Sequence, residues 1–365
     1  MRFPSMDKSV LVTGVSLSFL LPMGLAVAPV SAASPTVDLR VATYNTCGHG
    51  CMPTPAECDV TLGRDCPTKL APWTDERAAS AADDVVDSEL DIVATQEIGN
   101  NPVPQVPDVD IETFRVPFTE AMEERGYAEA PAEYEDARHP RHDYPLRSGA
   151  GRYTYYDAER FSHLDTEGKE LPHDLFWLPD STEDYGKTVN WNILRELETD
   201  TRVVVVNMHL EYRSGDAEDP NGWARDWDTV RFDDARRTAS HITQQNPATR
   251  NLPVIFAGDM NSSSTEAGTS PYAAFRDLGF DNARDLAPED ERSGEHLASY
   301  NGGKIPLPEG DQIDYVFVEE GTTVLDWALV PQTEATSGEQ SELLRSDHNM
   351  VYATLSLDST GAARS

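Results

Sequence analysis

The sequence is poor in positive charge. It contains 29 Lys and Arg residues against 64 Asp and Glu residues, which gives a formal net charge of −35 at pH 7. Lys and Arg provide most of the affinity of proteins for nucleic-acid phosphates, and this chain has no run of basic residues. The composition therefore disfavours a large polyanion-binding surface, and it indicates a strongly solvated acidic surface.

Long hydrophobic runs are also lacking outside the N-terminal region, so we expect no stable membrane insertion. The exception is the stretch from Val10 to Val30, which follows Arg2 and Lys8 and precedes small residues of the kind that a signal peptidase recognises. We interpret residues 1–33 as a signal peptide, with a membrane anchor as the alternative. The expected location is therefore secreted and extracellular.

Cysteine is scarce and confined to one short segment, which contains Cys47, Cys51, Cys58 and Cys66. In an exported protein this arrangement predicts two disulfides, and the sequence leaves all three pairings open. A zinc site is the alternative. It is the less favoured one, because no pair has the C-x-x-C spacing of a structural zinc site.

The rest of the chain, residues 34–365, shows no internal repeat and no low-complexity segment. Its length suits one large layered α/β domain, which we expect to be a monomer. Hydrophobic spacing predicts helices at 75–89, 231–244 and 271–278. Residues 99–149 are rich in proline and charge, and we interpret them as an insertion or loop region that contains one possible helix at 113–125.

Several predicted strands end in polar side chains that are costly to bury without a partner. The predicted strands and the polar residues after them are 37–43 with Asn45, 92–95 with Glu97, 203–206 with His209, and 252–257 with Asp259 and Asn261. Two more strands are predicted at 152–156 and 189–195. Because loops at strand ends bring distant segments together on a rigid base, this pattern predicts one shared site.

The end of the chain adds three candidates. Asp347 and His348 precede a predicted strand at 350–357, and Asp314 lies inside the apolar strand 313–318. Each candidate has an ordinary structural alternative, such as a surface carboxylate, a turn or a core histidine. Asp314 is the hardest to explain in that way, because a carboxylate within an apolar strand needs a partner, and His348 is the predicted one.

Taken in order, these segments resemble the endonuclease/exonuclease/phosphatase superfamily, which has the deoxyribonuclease I-like fold. The matching motifs are Val-Ala-Thr-Tyr-Asn at 41–45, Asp-Ile-Val-Ala-Thr-Gln-Glu at 91–97, Asn-Met-His-Leu at 207–210, Gly-Asp-Met-Asn at 258–261, Ile-Asp-Tyr-Val at 313–316 and Ser-Asp-His at 346–348. The resemblance implies an α/β (α+β) fold. The implied structure is a four-layered sandwich of two packed mixed β-sheets flanked by helices, with the site at one edge.

The resemblance also implies a metal-dependent phosphodiester hydrolase. Asn45, Glu97 and Asp347 are the expected metal-site residues, for Mg²⁺ or for another divalent cation such as Mn²⁺ or Ca²⁺. Asp259 matches the position that orients or deprotonates the attacking water. The neutral amide of Asn261 is expected to hold the phosphate without adding repulsion.

The remaining expected roles belong to two histidines and their neighbours. His348 and Asp314 resemble a His-Asp dyad in which the carboxylate fixes the imidazole tautomer. His209 is expected to donate to a phosphate oxygen or to the leaving group. Possible substrate contacts are Arg152, Tyr156 and Asn192.

Charge decides the expected substrate. The shortage of Lys and Arg favours small or lipid-derived phosphodiesters, such as glycerophosphodiesters, over inositol polyphosphates. The alternative is a secreted nuclease that acts on DNA or RNA. A sphingomyelinase-like phospholipase C and a non-catalytic binding protein are less favoured. Trp223 and Trp227, in an acidic segment, are expected either to contact a cationic head group or simply to pack under a loop.

Overall fold

A computed structural model describes residues 36–47, 75–98, 115–131, 151–164, 173–178, 187–213, 226–245, 249–264, 269–333 and 344–358. For residues 173–178, 187 and 188 only the backbone is described. The predicted signal peptide and three of the four cysteines lie outside these ranges.

Two mixed β-sheets form the framework. Sheet 1 contains, in spatial order, β11 (Arg292–Ser293), β13 (Thr323–Val330), β14 (Met350–Asp358), β1 (Thr36–Asn45), β2 (Ile92–Gln96), β4 (Tyr153–Asp157) and β3 (Tyr127–Glu129). Sheet 2 contains β10 (Phe280–Asn282), β12 (Asp314–Glu319), β9 (Val254–Asp259), β8 (Arg202–His209), β7 (Lys187–Glu196) and β5 (Phe161–His163), and β6 (His173–Leu178) also pairs with β7.

Helices cover the outer faces of both sheets. They are α1 (Asp75–Asp87), α2 (Arg115–Glu124), α3 (Trp227–Ser240) and α4 (Pro271–Asp277), whereas the short α5 (Ala283–Leu286) packs with the core between the sheets. Asp226 caps α3 by accepting from two backbone N–H groups of its first turn, and Ser270 caps α4 in the same way, directly before a proline. The predicted helices are therefore present. Among the described residues no helix has the length and apolar character needed to cross a membrane.

Side-chain alternation sorts the sheets into layers. In β1, Leu39 and Val41 face the core between the sheets, whereas Ala42 and Tyr44 face the side covered by α1 and α2. In β8, Val204 and Val206 likewise pack on the opposite outer side, with α3 and α4. Alternate residues of a strand point to opposite faces, so each sheet has two buried faces. The predicted four-layered sandwich is confirmed.

The possible helix at 113–125 is present as α2, whereas the strand β3 in the same region was not predicted. The short strands β5, β6, β10 and β11 were not predicted either, nor was the longer strand β13. Its pairing with β14 shifts register between Val324 and Asp326, and such a bulge interrupts the period of two by which a strand is recognised in a sequence.

Candidate active site

Strand register brings the polar strand ends to one edge of the two sheets. β1 and β2 are parallel, with Asn45 opposite Gln96, and β8 and β9 are parallel, with His209 opposite Asp259. β12 runs antiparallel to β9 and begins with Asp314 opposite Asp259. Parallel neighbours end at the same edge and an antiparallel neighbour begins there. Side chains far apart in the sequence therefore meet.

Close contact between β8 and β9 explains the glycine that precedes Asp259. Gly258 pairs with Met208, and a Cβ at position 258 would overlap the carbonyl oxygen of Met208. Only glycine fits there without moving a strand. The Gly-Asp-Met-Asn segment is therefore the end of a central strand, with Gly258 and Asp259 inside it, and not an independent surface turn.

His348 and Asp314 form a hydrogen-bonded pair at this edge. Nδ1 of His348 lies 2.9 Å from Oδ2 of Asp314, and both side chains are buried. The contact leaves Nε2 of His348 on the side of Asp259, 3.7 Å from its Oδ2. The partner that the sequence predicted for the carboxylate in an apolar strand is therefore in place.

Asp259 lies at the centre of the cluster. Its Oδ2 accepts a hydrogen bond from Nδ2 of Asn45 at 3.0 Å, and its Oδ1 accepts one from the backbone N–H of Asn261 at 2.8 Å. Nε2 of His209 lies 3.7 Å from Oδ2, the same distance as Nε2 of His348. A buried carboxylate between two imidazoles is well placed to orient a water molecule.

Glu97 and Asn261 share an unusual backbone conformation. Their φ angles are 55° and 51°, in the left-handed region, which costs on the order of 1–3 kcal/mol for an ordinary residue. Each residue comes shortly after a strand, at the point where the chain turns across the site. The side chain of Glu97 is one-third exposed, and its Oε1 lies 3.8 Å from Nε2 of His209. Strain repeated at one site is typical of a functional constraint.

Buried negative charge shifts the titration of this cluster. Burial, with the charge of Asp314 adding to it, raises the pKa of Asp259 to about 7, and burial raises the pKa of Asp347 to about 6. Burial alone would lower the pKa of His348, but the charges of Asp314 and Asp259 outweigh it and raise that pKa well above its usual value. At neutral pH, His348 therefore keeps its proton, and Asp259 lies close to the midpoint of its titration.

These crowded carboxylates fit a divalent cation, which would relieve their mutual repulsion. Two separate sets of ligands can be considered. Ligand atoms of Asp259, Asp314 and His348 lie within 4.8 Å of one another, and the predicted metal ligands Glu97 and Asp347 are close enough for the charge of Glu97 to raise the pKa of Asp347. Asp314 and His348 already bind each other through Oδ2 and Nδ1. A cation at Glu97 and Asp347 leaves this pair intact.

Asn45, the third predicted metal-site residue, contacts two carboxylates of the site. Its Oδ1 accepts the backbone N–H of Cys47 at 3.0 Å, and its Nδ2 faces Glu97 and Asp259. In this arrangement Asn45 positions the two carboxylates that flank it. Its role at a metal stays a prediction.

The loop that carries His348 is held by residues that the sequence did not single out. Nε2 of Gln332 donates to the carbonyl oxygens of Ser346 and His348, both at 2.8 Å. The hydroxyl of Ser346 donates to the carbonyl oxygen of Asn45 at 2.6 Å and accepts the N–H of His348. These contacts fix the loop to the end of β1. No sequence signal marks Gln332, because it lies in an irregular segment after β13.

A hydrogen-bonded tie joins the two sheets directly below the site. Nε2 of Gln96 donates to Oδ1 of Asn207 at 2.9 Å, and Nδ2 of Asn207 donates to the carbonyl oxygens of Thr95 and Tyr153. Oγ1 of Thr43 donates to the carbonyl oxygen of the Gln96 amide at 3.1 Å. All of these atoms are buried. The tie sets the separation of β2, which leads to Glu97, from β8, which ends in the second histidine of the site.

None of the family models and none of the curated proteins compared matches the chain. Solved structures do match. An endonuclease/exonuclease/phosphatase family protein from Bacteroides thetaiotaomicron superposes with a TM-score of 0.62 and 17% identity, over 91% of this chain and 99% of that one. The chain has the endonuclease/exonuclease/phosphatase fold.

Two further solved structures share this fold. A mannosyl-6-phosphatase from Bacteroides thetaiotaomicron matches with a TM-score of 0.57 and 18% identity, over 87% of this chain and 99% of that one. A TDP2 from D. rerio, solved with a single-strand DNA product, matches with a TM-score of 0.50 and 14% identity, over 87% and 98%. At these identities the likeness concerns the fold.

Within the endonuclease/exonuclease/phosphatase fold, the predicted substrate contacts occupy different places. Arg152 directly precedes β4 at the end near the site, and its pKa is lowered to about 10 by burial, partly offset by the charges of Tyr153 and Glu97. Tyr156 was predicted wrongly. It pairs with Ile92, at the other end of β2 from Glu97, and packs in the core between the sheets.

Asn192 is a second correction. It pairs with Val205, well before the end of β8, and its amide donates to Oδ1 of Asn190 at 2.7 Å. Both asparagines are fully buried between the sheets. Asn192 therefore belongs to the interior of the sandwich and not to the substrate-facing edge.

Trp227 is also an interior residue. Its side chain is fully buried at the start of α3, with the guanidinium of Arg213 4.9 Å from its ring centre. Of the two alternatives, the structure favours packing over contact with a head group. Trp223 lies outside the described residues. Cys47 is buried beside the site, and the disulfides stay a prediction.

Proposed function

We propose that the chain is an exported, divalent-metal-dependent hydrolase of phosphodiesters, with small or lipid-derived phosphodiesters as substrates. The observation that carries the proposal is the buried His348–Asp314 pair aimed at Asp259. A hydrogen-bonded imidazole beside a second carboxylate of near-neutral pKa provides an acid and a base in one site.

The two groups have complementary proton states. Asp259, with a pKa of about 7, accepts a proton from an attacking water at neutral pH. His348, with its raised pKa, donates a hydrogen bond or a proton to the phosphate or to the departing alcohol. The Asp314 carboxylate holds the imidazole in orientation, and the backbone of Asn261 holds Asp259. Each group is thus fixed before substrate binds.

A divalent cation fits beside Glu97 and Asp347, where it would neutralise phosphate oxygens. His209 lies between Glu97 and Asp259 and is placed to donate to the same phosphate. The buried guanidinium of Arg152 adds positive charge near Glu97.

Support for a small substrate comes from charge. The chain as a whole carries −35, and the site itself is lined by four carboxylates. A long polyanion approaching this edge would be repelled. A secreted nuclease is the second candidate, since the TDP2 of the same fold was solved with a DNA product.

Hydrolysis of bis-p-nitrophenyl phosphate tests the reaction class. We expect turnover with Mg²⁺ or Mn²⁺ and its loss on chelation. Side-by-side incubation with glycerophosphodiesters, sphingomyelin, plasmid DNA and RNA then tests the substrate. Release of alcohol from the small diesters supports the proposal. Rapid nicking of DNA with no cleavage of the small diesters would establish the nuclease instead.

A further inference from the structure

Tyr300 lies at the mouth of the site, although no sequence motif marks it. Its ring centre is 5.1 Å from that of His348, with the planes at 60°, and the two residues pair as an isolated antiparallel bridge. Its hydroxyl is also within electrostatic reach of Asp347, Glu97 and Asp259. Tyr300 is therefore beside the reacting groups.

The exposure of this ring is unusual. Tyr300 is 50% exposed, and among the described aromatic residues only Tyr212 is more exposed. Exposing a flat apolar ring beside a buried polar site gains nothing for folding. Such rings at a site are typical of a surface that a ligand covers.

The loop that carries the ring is held in place. The backbone N–H groups of Asn301 and Gly302 donate to the carbonyl oxygen of Asp347 at 2.7 and 3.1 Å. The N–H of Asn349 donates to the carbonyl oxygen of Ser299 at 2.7 Å. These bonds tie the Tyr300 loop to the loop of His348 on both sides. A loop that is already ordered costs little backbone entropy on binding, so its side chain suits selection among ligands.

We propose that Tyr300 determines specificity by stacking its exposed face on a neutral ring, that of a sugar, a cyclitol or a nucleoside, carried by one alcohol of the phosphodiester. The inference rests on the proposed function and narrows its substrate class. The competing ligand is a cationic head group, which the three carboxylates within electrostatic reach of Tyr300 would attract, so glycerophosphocholine is a further test substrate. An open-chain alcohol would leave the ring face uncovered.

A matched pair of substrates tests this inference. Glycerophosphoinositol and glycerophosphoglycerol carry the same net charge and similar alcohol leaving groups, but only the first has a ring. We expect the wild-type protein to prefer the ring substrate in kcat/KM, and Tyr300→Leu to reduce that preference about 2- to 12-fold, as expected for one aromatic contact. Tyr300→Phe, which keeps the ring, should retain the preference. A uridine phosphodiester in a third arm distinguishes a nucleoside from a cyclitol.

Two outcomes would overturn the inference. Equal losses on both substrates, with a shifted pH profile, would mean that Tyr300 only buttresses His348. No preference for a ring in the wild-type protein would mean that no such subsite exists. Calorimetric binding of inositol phosphate and glycerol phosphate to the same variants separates this inference from the proposed function. Ring-dependent binding without any hydrolysis would uphold the subsite and refute the hydrolase.

Discussion

Oδ2 of Asp314 lies 2.9 Å from Nδ1 of His348, although the two residues are 34 positions apart in the chain. The contact joins the first residue of β12 to the loop before β14, and thus links the two sheets at the site. Ser299 holds Asp314 in place, because its hydroxyl accepts the backbone N–H of Asp314 at 3.1 Å. The fold itself therefore holds the two side chains of the pair in place.

Replacing Asp259 by Asn should make the stability of the metal-free protein less dependent on pH. The pKa of Asp259 is raised from 3.8 to about 7, so between these values the native state binds more protons than the unfolded state. The contribution of Asp259 to stability is then full below about pH 4 and is lost as pH rises through 7. Asp259→Asn has no carboxyl group to ionise, so it should not lose this stability as the pH rises.

Thermal unfolding in chelator at pH 5 and pH 8 measures the effect. Relative to wild type, Asp259→Asn should gain stability on going from pH 5 to pH 8, on the order of 1–3 kcal/mol, while losing hydrolytic activity at both. A constant difference in Tm between variant and wild type would show that Asp259 titrates normally.

Replacing Glu97 by Gln should weaken metal binding while the dyad stays intact. The change removes a carboxylate charge without changing the size of the side chain, so the metal concentration for half-maximal activity should rise about 10-fold or more. Asp314→Asn is the matched control, because it alters a carboxylate in the other possible set of ligands. If Asp314→Asn shifts the metal requirement and Glu97→Gln does not, the cation binds at Asp259, Asp314 and His348.

Replacing Asn207 by Ala should disturb both stability and activity, because the amide joins the sheets beneath the site. Its buried hydrogen bonds are lost, although Nε2 of Gln96 still donates to the carbonyl oxygen of Ala94 and the carbonyl oxygen of Tyr153 still accepts from Oγ1 of Thr95, so we expect a total cost of about 1–3 kcal/mol. Asn192→Ala, in an equally buried position on β7, is the control and should leave kcat nearly unchanged. Equal losses of kcat in the two variants, compared at matched folded fraction, would argue against a specific role for the tie.

Much of this arrangement could be predicted from the sequence, for a definite reason. Polar residues at the ends of apolar strands are conspicuous, and Asp314 required a buried partner. The supporting residues were not predictable, because Gln332, Ser299 and Tyr300 lie in irregular segments that have no hydrophobic period. Tyr156 was misplaced because a sequence does not show which end of an antiparallel strand lies near the site. Knowledge of its register with β2 was needed.

The most direct test of the central claim is a double-mutant cycle on the dyad. Metal-dependent hydrolysis of bis-p-nitrophenyl phosphate would be measured for wild type, His348→Ala, Asp314→Asn and the double variant, with the fold checked by circular dichroism. Since the pair acts as one unit, we expect each single change to lower kcat by about 100-fold or more and the double change to cost little beyond His348→Ala alone. Independent, additive losses, or near-normal activity of His348→Ala, would contradict the account.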